Sequence, residues 1–279
     1  MPMKKIANGF TGTQKIPRLK PRGGAHVMAV AIRALFLREL QTRFGQYRLG
    51  YLWIFIEPLF SIGIMLLLFG SIMHRTLSNI DFEVFLLNGI VPFFMFRSGI
   101  IQALGAAQAN KGLFSYRPVK PIDALLARNL LELFLGLSTY IFFSLVLFWF
   151  EYEISLEHIP SLLSYWLILF LLMLSLSVLF MVLGDFSTEI NKFVQILFLV
   201  LYFLSGILYP IQIIPTQYRE YLLYNPLIHI FELMRHAVVP SYPLVEGIDL
   251  TYVVIWLVVS LFIGLMLYRR FERRMIKSK

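Results

Sequence analysis

The sequence contains no cysteine and few charged residues. Without cysteine, the chain forms no disulfide, has no thiol nucleophile and offers no sulfur ligand to zinc. Asp, Glu, Lys and Arg make up 15% of the 279 residues, compared with about 25% in soluble domains. Hydrophobic residues make up 58%, and the mean hydropathy is +0.74. This composition excludes the disordered, fibrous and disulfide-stabilised secreted classes and predicts an integral membrane protein.

Several motifs of catalysis and cofactor binding are also missing from the sequence. It has no G-x-x-x-x-G-K-[ST] stretch, no H-E-x-x-H stretch and no G-x-S-x-G elbow. His229 and His236 lie seven residues apart, but no third metal ligand accompanies them. We therefore predict no catalytic residue, no metal site and no cofactor bound by this chain.

Long apolar runs predict an all-α membrane fold with six transmembrane helices. A helix needs about 20 predominantly apolar residues to cross the hydrocarbon core. The predicted spans are about 49–73, 84–106, 128–150, 162–184, 191–210 and 250–269. A membrane β-barrel would instead show segments of about ten residues with alternating polarity. The three units along the chain are then a tail at 1–26, an interface helix at 27–48 and a transmembrane domain at 49–279.

The positions of lysine and arginine predict the orientation. Basic residues concentrate before the first span, after the second and fourth spans and after the last, whereas the third loop carries Glu151, Glu153 and Glu157. Because cytoplasmic loops carry the excess of positive charge, both termini are predicted in the cytosol. The net charge of +9 then faces anionic lipid, and we predict no nucleic-acid partner. Residues 1–26 read as a flexible basic tail without the apolar segment of a signal peptide.

The segment FLRELQTRF, residues 36–44, predicts an amphipathic helix. Phe36, Leu37, Leu40 and Phe44 share one helical face by their spacing. The remaining residues of the segment are polar or charged. Such a helix directly before a span fits the cytosolic interface, where it acts either as a lipid anchor or as a docking element for a partner.

The connection 211–240 is rich in proline but stays apolar. Its pattern predicts two short helices, at about 216–224 and 227–238. They form either a re-entrant outer hairpin, which must pack on protein to satisfy its backbone groups, or a pair that lies flat on the outer surface.

The charges predicted to lie at bilayer depth, away from the ends of the spans, are Glu57 and Arg97. A charge at bilayer depth is costly and usually faces a bundle interior or water. Two interpretations remain open. The residues form a structural ion pair with each other, or Arg97 faces a polar conduit and attracts an anionic substrate.

The stretch LFLRELQTRFGQYRLGYLWIFIEPLF, residues 35–60, resembles the first-span signature of ABC-2 type polysaccharide exporter permeases. In that signature a basic amphipathic helix precedes L-G-x-L-W and a proline. The similarity continues through LNGIVPFFMF (87–96), LSGILYPIQIIP (204–215) and YNPLIHIFELMR (224–235). Related permeases often have an Arg-Asp pair in the loop where this chain has Gly184 before Asp185. The sequence most resembles the membrane subunits of Gram-negative group 2 capsule exporters of the polysialic acid type.

The resemblance implies a homodimeric permease that moves a lipid-linked, anionic capsular polysaccharide across the bacterial inner membrane. Two copies of a separate cytosolic ATPase would bind ATP and Mg. A periplasmic co-polymerase or adaptor and an outer-membrane exporter would be further partners. O-antigen or teichoic-acid export, or export of a drug or lipid, are alternatives on the same fold. A membrane-embedded glycan-modifying acyltransferase is the alternative from another class.

The predicted functional residues form three groups. For a charged sugar chain, aromatic and basic side chains are expected along the substrate pathway: Arg97, Tyr47, Arg48, Tyr51, Trp53, Phe55, Phe93, Phe94, Phe96, Tyr202 and Phe203. The resemblance implies coupling to the ATPase through Arg38, Arg43, Lys111, Phe114, Tyr116, Arg117, Lys120 and Asp185. In that interpretation Phe114 and Tyr116 plug a cleft on the partner. The resemblance also implies an outer gate formed by Tyr209, Pro210, Tyr224, Asn225, Pro226, Glu232 and Arg235.

Overall fold

The computed structural model describes residues 23–44, 50–76, 79–115, 119–187 and 189–276. All of the regular structure in these ranges is helical, which confirms the all-α prediction. The α-helices are α1 Gly24–Phe44, α2 Trp53–Thr76, α3 Phe82–Leu104, α4 Ala106–Ala109, α5 Pro121–Trp149, α6 Ile159–Phe186, α7 Glu189–Leu204, α8 Thr216–Leu222, α9 Pro226–Val238 and α10 Leu250–Ile276. Short 3-10 turns occupy Gly50–Leu52, Lys111–Ser115 and Ile211–Ile213.

Within the described residues, five helices are long and apolar enough to cross a membrane, namely α2, α3, α5, α6 and α10. The fifth predicted span, 191–210, corresponds to α7, which has 16 residues. At 1.5 Å per residue α7 is about 24 Å long, shorter than the hydrocarbon core of about 30 Å. Helix α7 ends at Leu204 rather than at residue 210, and Gly206 has a φ of 63°. This left-handed conformation favours glycine and turns the chain.

Two helices extend further than the apolar runs predict. Helix α5 begins at Pro121 instead of residue 128, because Pro121 occupies the first turn and the Lys120 backbone N–H donates to Asp123 Oδ2 at 2.9 Å. Helix α10 continues past residue 269 to Ile276. The earlier start adds residues 121–127, including Asp123, to the helix that carries Arg128 and Glu132.

Helix α3 is the centre of the bundle and is buried along most of its length. It packs against α2, α5, α6, α7 and α9. Two glycines allow the close approach: a Cβ on Gly136 of α5 would lie 2.9 Å from Met95 Cβ, and Gly99 faces Met173 of α6. Small residues at helix crossings are the usual means of close packing in membranes. Helix α2 lies at the rim instead, with Leu67 87% exposed.

The two ends of the bundle differ in charge and structure. At one end the last turn of α3, the start of α5 and the ends of α6 and α10 meet, with Lys120 near Glu272. We call this the basic end. At the other end the segment after α9 meets the start of α3, where Asn79 Nδ2 donates to the Ser241 carbonyl at 3.2 Å. We call this the hairpin end, because it contains α8 and α9.

Candidate functional sites at the two ends of the bundle

A ladder of alternating charges fastens α1 to α5 at the basic end. Glu39 and Arg43 lie four residues apart on α1, and Arg128 and Glu132 lie four apart on α5. Arg128 Nε lies 2.9 Å from Glu39 Oε1, and Arg43 pairs with Glu132. Because each rung has the opposite polarity to the next, the ladder fixes the register between the helices. Glu132 is 4% exposed, so Arg43 neutralises a carboxylate that water barely reaches.

The ladder shows that α1 packs on α5 through part of its polar face as well as through its apolar face. Phe36, Leu40 and Phe44 do pack together on α5, against Leu131 and neighbouring residues. Leu37, which was expected on the same face, is 48% exposed. The polar residues Glu39 and Arg43 point to α5 because α5 supplies opposite charges.

Asp185, at the end of α6, lies between two cations from different elements. Its Oδ1 is 3.6 Å from Lys111 Nζ, and its Oδ2 is 3.7 Å from Arg274 Nε. The Asp185 side chain is 4% exposed. Gly184 beside it fits tightly, because a Cβ there would collide with the Leu104 carbonyl oxygen. A larger residue before Asp185, as in the Arg-Asp pair of related permeases, does not fit this packing.

Three further coupling residues that the structure describes, Arg38, Lys120 and Phe114, are also engaged within the chain. Arg38 donates from Nη2 to Asn110, whose side chain is itself buried after α4. Lys120 is the most exposed of these cations and lies 3.8 Å from Glu272. Phe114 is 4% exposed and packs with Leu35 of α1. The expectation that Phe114 projects into a cleft on another protein is therefore not met in this conformation, because α1 and α5 already cover the ring.

A cleft with both signs of charge opens between α2 and α5, with α3 as its floor. Its cavity volume is about 110 Å³. Its polar and aromatic lining consists of Arg43, Phe44, Trp53, Glu57, Phe94, Arg97, Ser98, Glu132 and Thr139. We call it the charged cleft. It brings together three of the residues predicted for the substrate pathway, namely Trp53, Phe94 and Arg97.

Glu57 and Arg97 line the charged cleft without forming an ion pair. Among the described residues, no salt bridge or hydrogen bond engages either side chain. The interpretation of a Glu57–Arg97 pair is therefore wrong. The ion pair of the cleft joins Arg43 to Glu132, since α1 brings Arg43 to α5.

The other predicted pathway aromatics divide into buried and outward-facing rings. Phe93 and Phe96 are 1% and 3% exposed and contact Phe198 edge-on, so they form core between α3 and α7. Their expected place on a pathway wall is not met in this conformation. Tyr202 stacks on Phe94 at 6.4 Å, whereas Phe203 is 52% exposed. Phe55 of α2 contacts Phe142 of α5 at 4.9 Å.

At the hairpin end, Arg235 and Glu232 of α9 form a fully buried ion pair. Arg235 Nη1 donates to Glu232 Oε1 at 2.8 Å, and both residues are 0% exposed. Arg235 Nη2 also donates to the Gly206 carbonyl at 2.8 Å. That carbonyl is available because α7 has ended and no helical N–H competes for it. The guanidinium lies over the ring of Phe85, 3.6 Å from its centroid.

Neighbouring residues complete this arrangement. A Cβ on Gly89 of α3 would lie 2.9 Å from Arg235 Nη2, so glycine makes room for the guanidinium. The Tyr242 hydroxyl donates to the Glu232 carboxylate at 3.1 Å, and Gln212 Nε2 donates to it at 3.2 Å. Burial raises the pKa of Tyr242 above its usual range, so the hydroxyl keeps the proton that it donates.

The rest of the predicted outer gate shapes the turn between α7 and α9. Asn225 caps α9 by accepting from the Leu227 backbone N–H at 3.1 Å, and its Nδ2 donates to Ser205 Oγ at 2.8 Å. Pro226 occupies the first turn of α9, as the missing N–H of proline favours. Tyr209 donates to the Phe203 carbonyl at 2.7 Å, and Pro210 is buried. The Tyr224 side chain is 70% exposed.

Helices α8 and α9 differ in burial. Helix α8 has no buried residue, whereas α9 is buried on several sides and packs on α3, α6 and α10. His229 takes part in this packing: the Asp249 backbone N–H donates to its Nδ1 at 2.9 Å, and its Nε2 donates to the Leu223 carbonyl at 2.8 Å. His236 Nδ1 lies 2.8 Å from the Tyr242 carbonyl. Both imidazoles therefore bind backbone groups.

Some predicted residues cannot be placed, and others were missed. Tyr47, Arg48, Tyr116 and Arg117, together with the Tyr51 side chain, lie outside the described residues. Six residues of these sites were not predicted, namely Glu39, Phe85, Arg128, Glu132, Gln212 and Tyr242. The spacing of Arg128 and Glu132, four residues apart beside an apolar run, is a signal that could have identified a charged helix face.

Comparison with known proteins gives consistent similarities. A family model described as ABC-2 type transporter matches residues 30–239. The chain is 46% identical over 257 residues to the polysialic acid transport protein KpsM of Escherichia coli, over 92% of this chain and 99% of that protein. It is 30% identical over 211 residues to the capsule polysaccharide export inner-membrane protein CtrC of Neisseria meningitidis serogroup A, over 73% and 77% of the two chains. It is 27% identical over 200 residues to the O-antigen export system permease protein RfbA of Klebsiella pneumoniae, over 68% and 73%.

Proposed function

The chain belongs to the ABC-2 type transporter family, and from this premise we propose that it is the permease subunit of an ATP-driven exporter of capsular polysaccharide. The observation that carries the proposal is the 46% identity to a polysialic acid transport protein over almost the full length of both chains. The helices of membrane-spanning length and the missing nucleotide-binding motif agree with it. The cargo is then a lipid-linked, anionic polysaccharide that crosses the bacterial inner membrane outward.

Export requires an energy source that this sequence does not contain. Because the chain has no P-loop, we assign ATP and Mg to two copies of a separate ABC ATPase. A second copy of the permease would complete the channel. The rim position of α2, with most of its apolar side chains directed outward, leaves a face that a second copy or lipid must cover. A periplasmic adaptor and an outer-membrane exporter would extend the route.

We assign the basic end to the cytosol and to the ATPase. Positive charge favours the cytoplasmic side, and the exposed side chains of Lys120, Arg273 and Arg274 lie at this end. The Asp185 ion pairs and the α1–α5 ladder connect this surface to the long helices. Force on α1 or on the loop after α3 would therefore reach α5, α6 and α10 through charged contacts.

We assign the hairpin end to the outer gate. Helix α9 is buried against three long helices, as a re-entrant segment must be if its backbone lies at membrane depth. With the turn at 205–210, α7 would then form the sixth crossing, shortened because the hairpin fills its outer part. Arg235 ties this hairpin to the end of α7 and to α3.

The pathway for an anionic glycan would use the charged cleft and the outward rings of α7. Trp53 and Phe94 supply aromatic faces on which sugar rings can stack, and Arg97 is a cation without a carboxylate partner in the described chain. Phe203 of α7 is 52% exposed. We assign Phe93 and Phe96 a supporting role behind this surface.

Deletion of the gene in its native bacterium tests the proposal. We expect capsular polysaccharide to disappear from the surface and to accumulate inside the cell, and plasmid-borne wild-type protein to restore export. Loss of O-antigen or teichoic acid from the surface, with capsule unchanged, would identify the alternative cargo. Surface polysaccharide of normal amount but altered acylation would instead indicate an enzyme and refute the permease assignment.

A second experiment tests the ATPase interface. The permease is purified from native membranes, and the P-loop ATPase that accompanies it is quantified by mass spectrometry. We expect Lys120→Glu to reduce the ATPase per permease, because it reverses an exposed charge at the basic end. Glu153→Gln, in the loop between α5 and α6, is the matched control. Equal ATPase recovery from both variants would remove Lys120 from the interface.

A further inference from the structure

Two cavities of the molecule lie along a single seam between α2 and α5. The first is the charged cleft. The second, which we call the apolar crevice, has a cavity volume of about 440 Å³ and is lined by Leu59, Ile62, Leu66, Glu83, Leu87, Phe143, Val146, Leu147, Phe150 and Tyr152. On each of α2, α3 and α5 the crevice residues lie nearer the hairpin end than the cleft residues. The seam therefore has a charged part nearer the basic end and a mostly apolar part toward the hairpin end.

The dimensions of the seam correspond to one leaflet of a bilayer. Arg97 and Leu87 are ten residues apart on α3, which is about 15 Å at 1.5 Å per residue. Half of the hydrocarbon core, about 30 Å thick, is also about 15 Å. A molecule with a polar head at Arg97 and an alkyl chain reaching Leu87 therefore has the length of a leaflet lipid.

The charges of the seam indicate the kind of head group. Arg43 and Glu132 neutralise each other. That leaves the positive charge of Arg97 and the negative charge of Glu57 without opposite charges in the described chain. Unpaired charges at membrane depth are costly, so a ligand that carries one charge of each sign would lower their free energy. An anionic head group would satisfy Arg97 but would be repelled by Glu57.

We propose that the seam binds one phosphatidylethanolamine-type phospholipid, with its phosphate at Arg97, its ammonium at Glu57 and an acyl chain in the apolar crevice. Phosphate accepts the charge-assisted hydrogen bonds that guanidinium donates, and a primary ammonium donates to carboxylate. Trp53, half exposed at the cleft, has the amphipathic ring that favours the head-group level. This inference goes beyond the transport function. It concerns the cleft that the proposed function gives to the glycan, so the glycan would displace this lipid during export.

Native mass spectrometry of the full-length protein, purified in mild detergent from bacterial membranes, tests the proposal. We expect one phosphatidylethanolamine to stay bound per chain. Arg97→Gln should reduce the retained lipid about tenfold, since a hydrogen bond between charged groups contributes about 1.5 kcal/mol or more. Arg97→Lys should restore most of it. Arg270→Gln on α10 and Glu153→Gln are exposed controls that should retain lipid as the wild type does.

Nanodiscs of defined composition test the head group separately. With Glu57 intact, we expect stronger retention of phosphatidylethanolamine than of phosphatidylcholine, because a quaternary ammonium cannot donate a hydrogen bond. Glu57→Gln should remove this preference without reducing retention of phosphatidylcholine. Equal retention of the two lipids by the wild type, preferential retention of phosphatidylglycerol or of a lipid-linked glycan, or equal loss from the control variants would each overturn the proposal. None of these results depends on whether the capsule is exported.

Discussion

The guanidinium of Arg235 lies 3.6 Å from the centre of the Phe85 ring, deep between α9 and α3. The same side chain pairs with Glu232 on its own helix and donates to the backbone of Gly206 beyond α7. One residue therefore joins three elements that are far apart in the sequence. Through these contacts the hairpin packs as part of the helix bundle.

Arg235→Ala should lower the free energy of unfolding by about 3–5 kcal/mol, because it leaves Glu232 charged and buried without its partner. The double variant Arg235→Met/Glu232→Leu should lose less of the free energy of unfolding than the single variant. Thermal denaturation in detergent measures both, and exposed Arg269→Ala is the control. A single variant no less stable than Arg269→Ala would contradict the inferred strength of the buried pair.

Gly89→Ala should loosen the hairpin end. The new methyl group would lie 2.9 Å from Arg235 Nη2 and 3.2 Å from Ile207 Cα, so either the guanidinium or the turn after α7 must move. Gly63→Ala on α2 has open space at the same kind of helical position. We expect faster amide hydrogen exchange in residues 205–240 for Gly89→Ala and unchanged exchange for Gly63→Ala. Identical protection in the two variants would refute the close fit.

Reversing one charge of the Arg43–Glu132 pair should reduce export, and reversing both charges should restore it. Arg43→Glu places two carboxylates together, and Glu132→Arg places two cations together. The combined swap restores opposite charges, so we expect its export to exceed that of either single variant. Surface polysaccharide per cell is the measurement. Additive loss in the combined variant would show that the rung does not set the register.

Asp185→Asn should impair coupling more than stability. The two ion pairs of Asp185 are long, and their cations are partly exposed. We therefore expect the free energy of unfolding to fall by about 1 kcal/mol or less. The link between the loop after α3 and the end of α10 would nevertheless be released. We expect reduced permease-dependent ATPase activity at nearly unchanged melting temperature. Glu189→Gln, exposed at the start of α7, is the control and should preserve both.

The contribution of Tyr242 to the free energy of unfolding should decrease at alkaline pH. Burial raises the pKa of its hydroxyl, so the unfolded phenol, with a pKa of about 10, loses its proton first as the pH rises. The contribution of Tyr242 is complete below about pH 10 and decreases above that pH. Tyr242→Phe should be less stable than the wild type at pH 8, and the difference should shrink toward pH 11. A difference that stays constant with pH would contradict this.

The family could be predicted from short segments because they carry specific residue combinations. The stretches 35–60 and 224–235 led to the capsule-exporter resemblance, and the family match confirms it. Apolar runs predicted the long helices because composition alone determines which segments can remain in lipid. The predicted span ended at residue 210, whereas α7 ends at Leu204, because Gly206 turns the chain within an apolar run.

Pairing between distant residues could not be predicted. Arg43 and Glu132 are 89 residues apart, and no local pattern links them. Phe114 looked available for a partner because its neighbours are basic, but helix α1 covers it. The six-span count and the re-entrant position of the hairpin stay predictions, because the depth of each segment depends on the bilayer.

Helix α10 reaches both ends of the bundle in one uninterrupted piece. It begins beside Asp249, which binds His229 of the hairpin, and it ends beside Asp185 through Arg274. At 27 residues it is about 40 Å long, and its most extensive packing is with α6, which has 28 residues. Because α10 is one continuous helix, tilting one end displaces the other. For the proposed exporter, a displacement of Arg274 at the basic end would therefore be transmitted along α10 to Asp249 beside the hairpin.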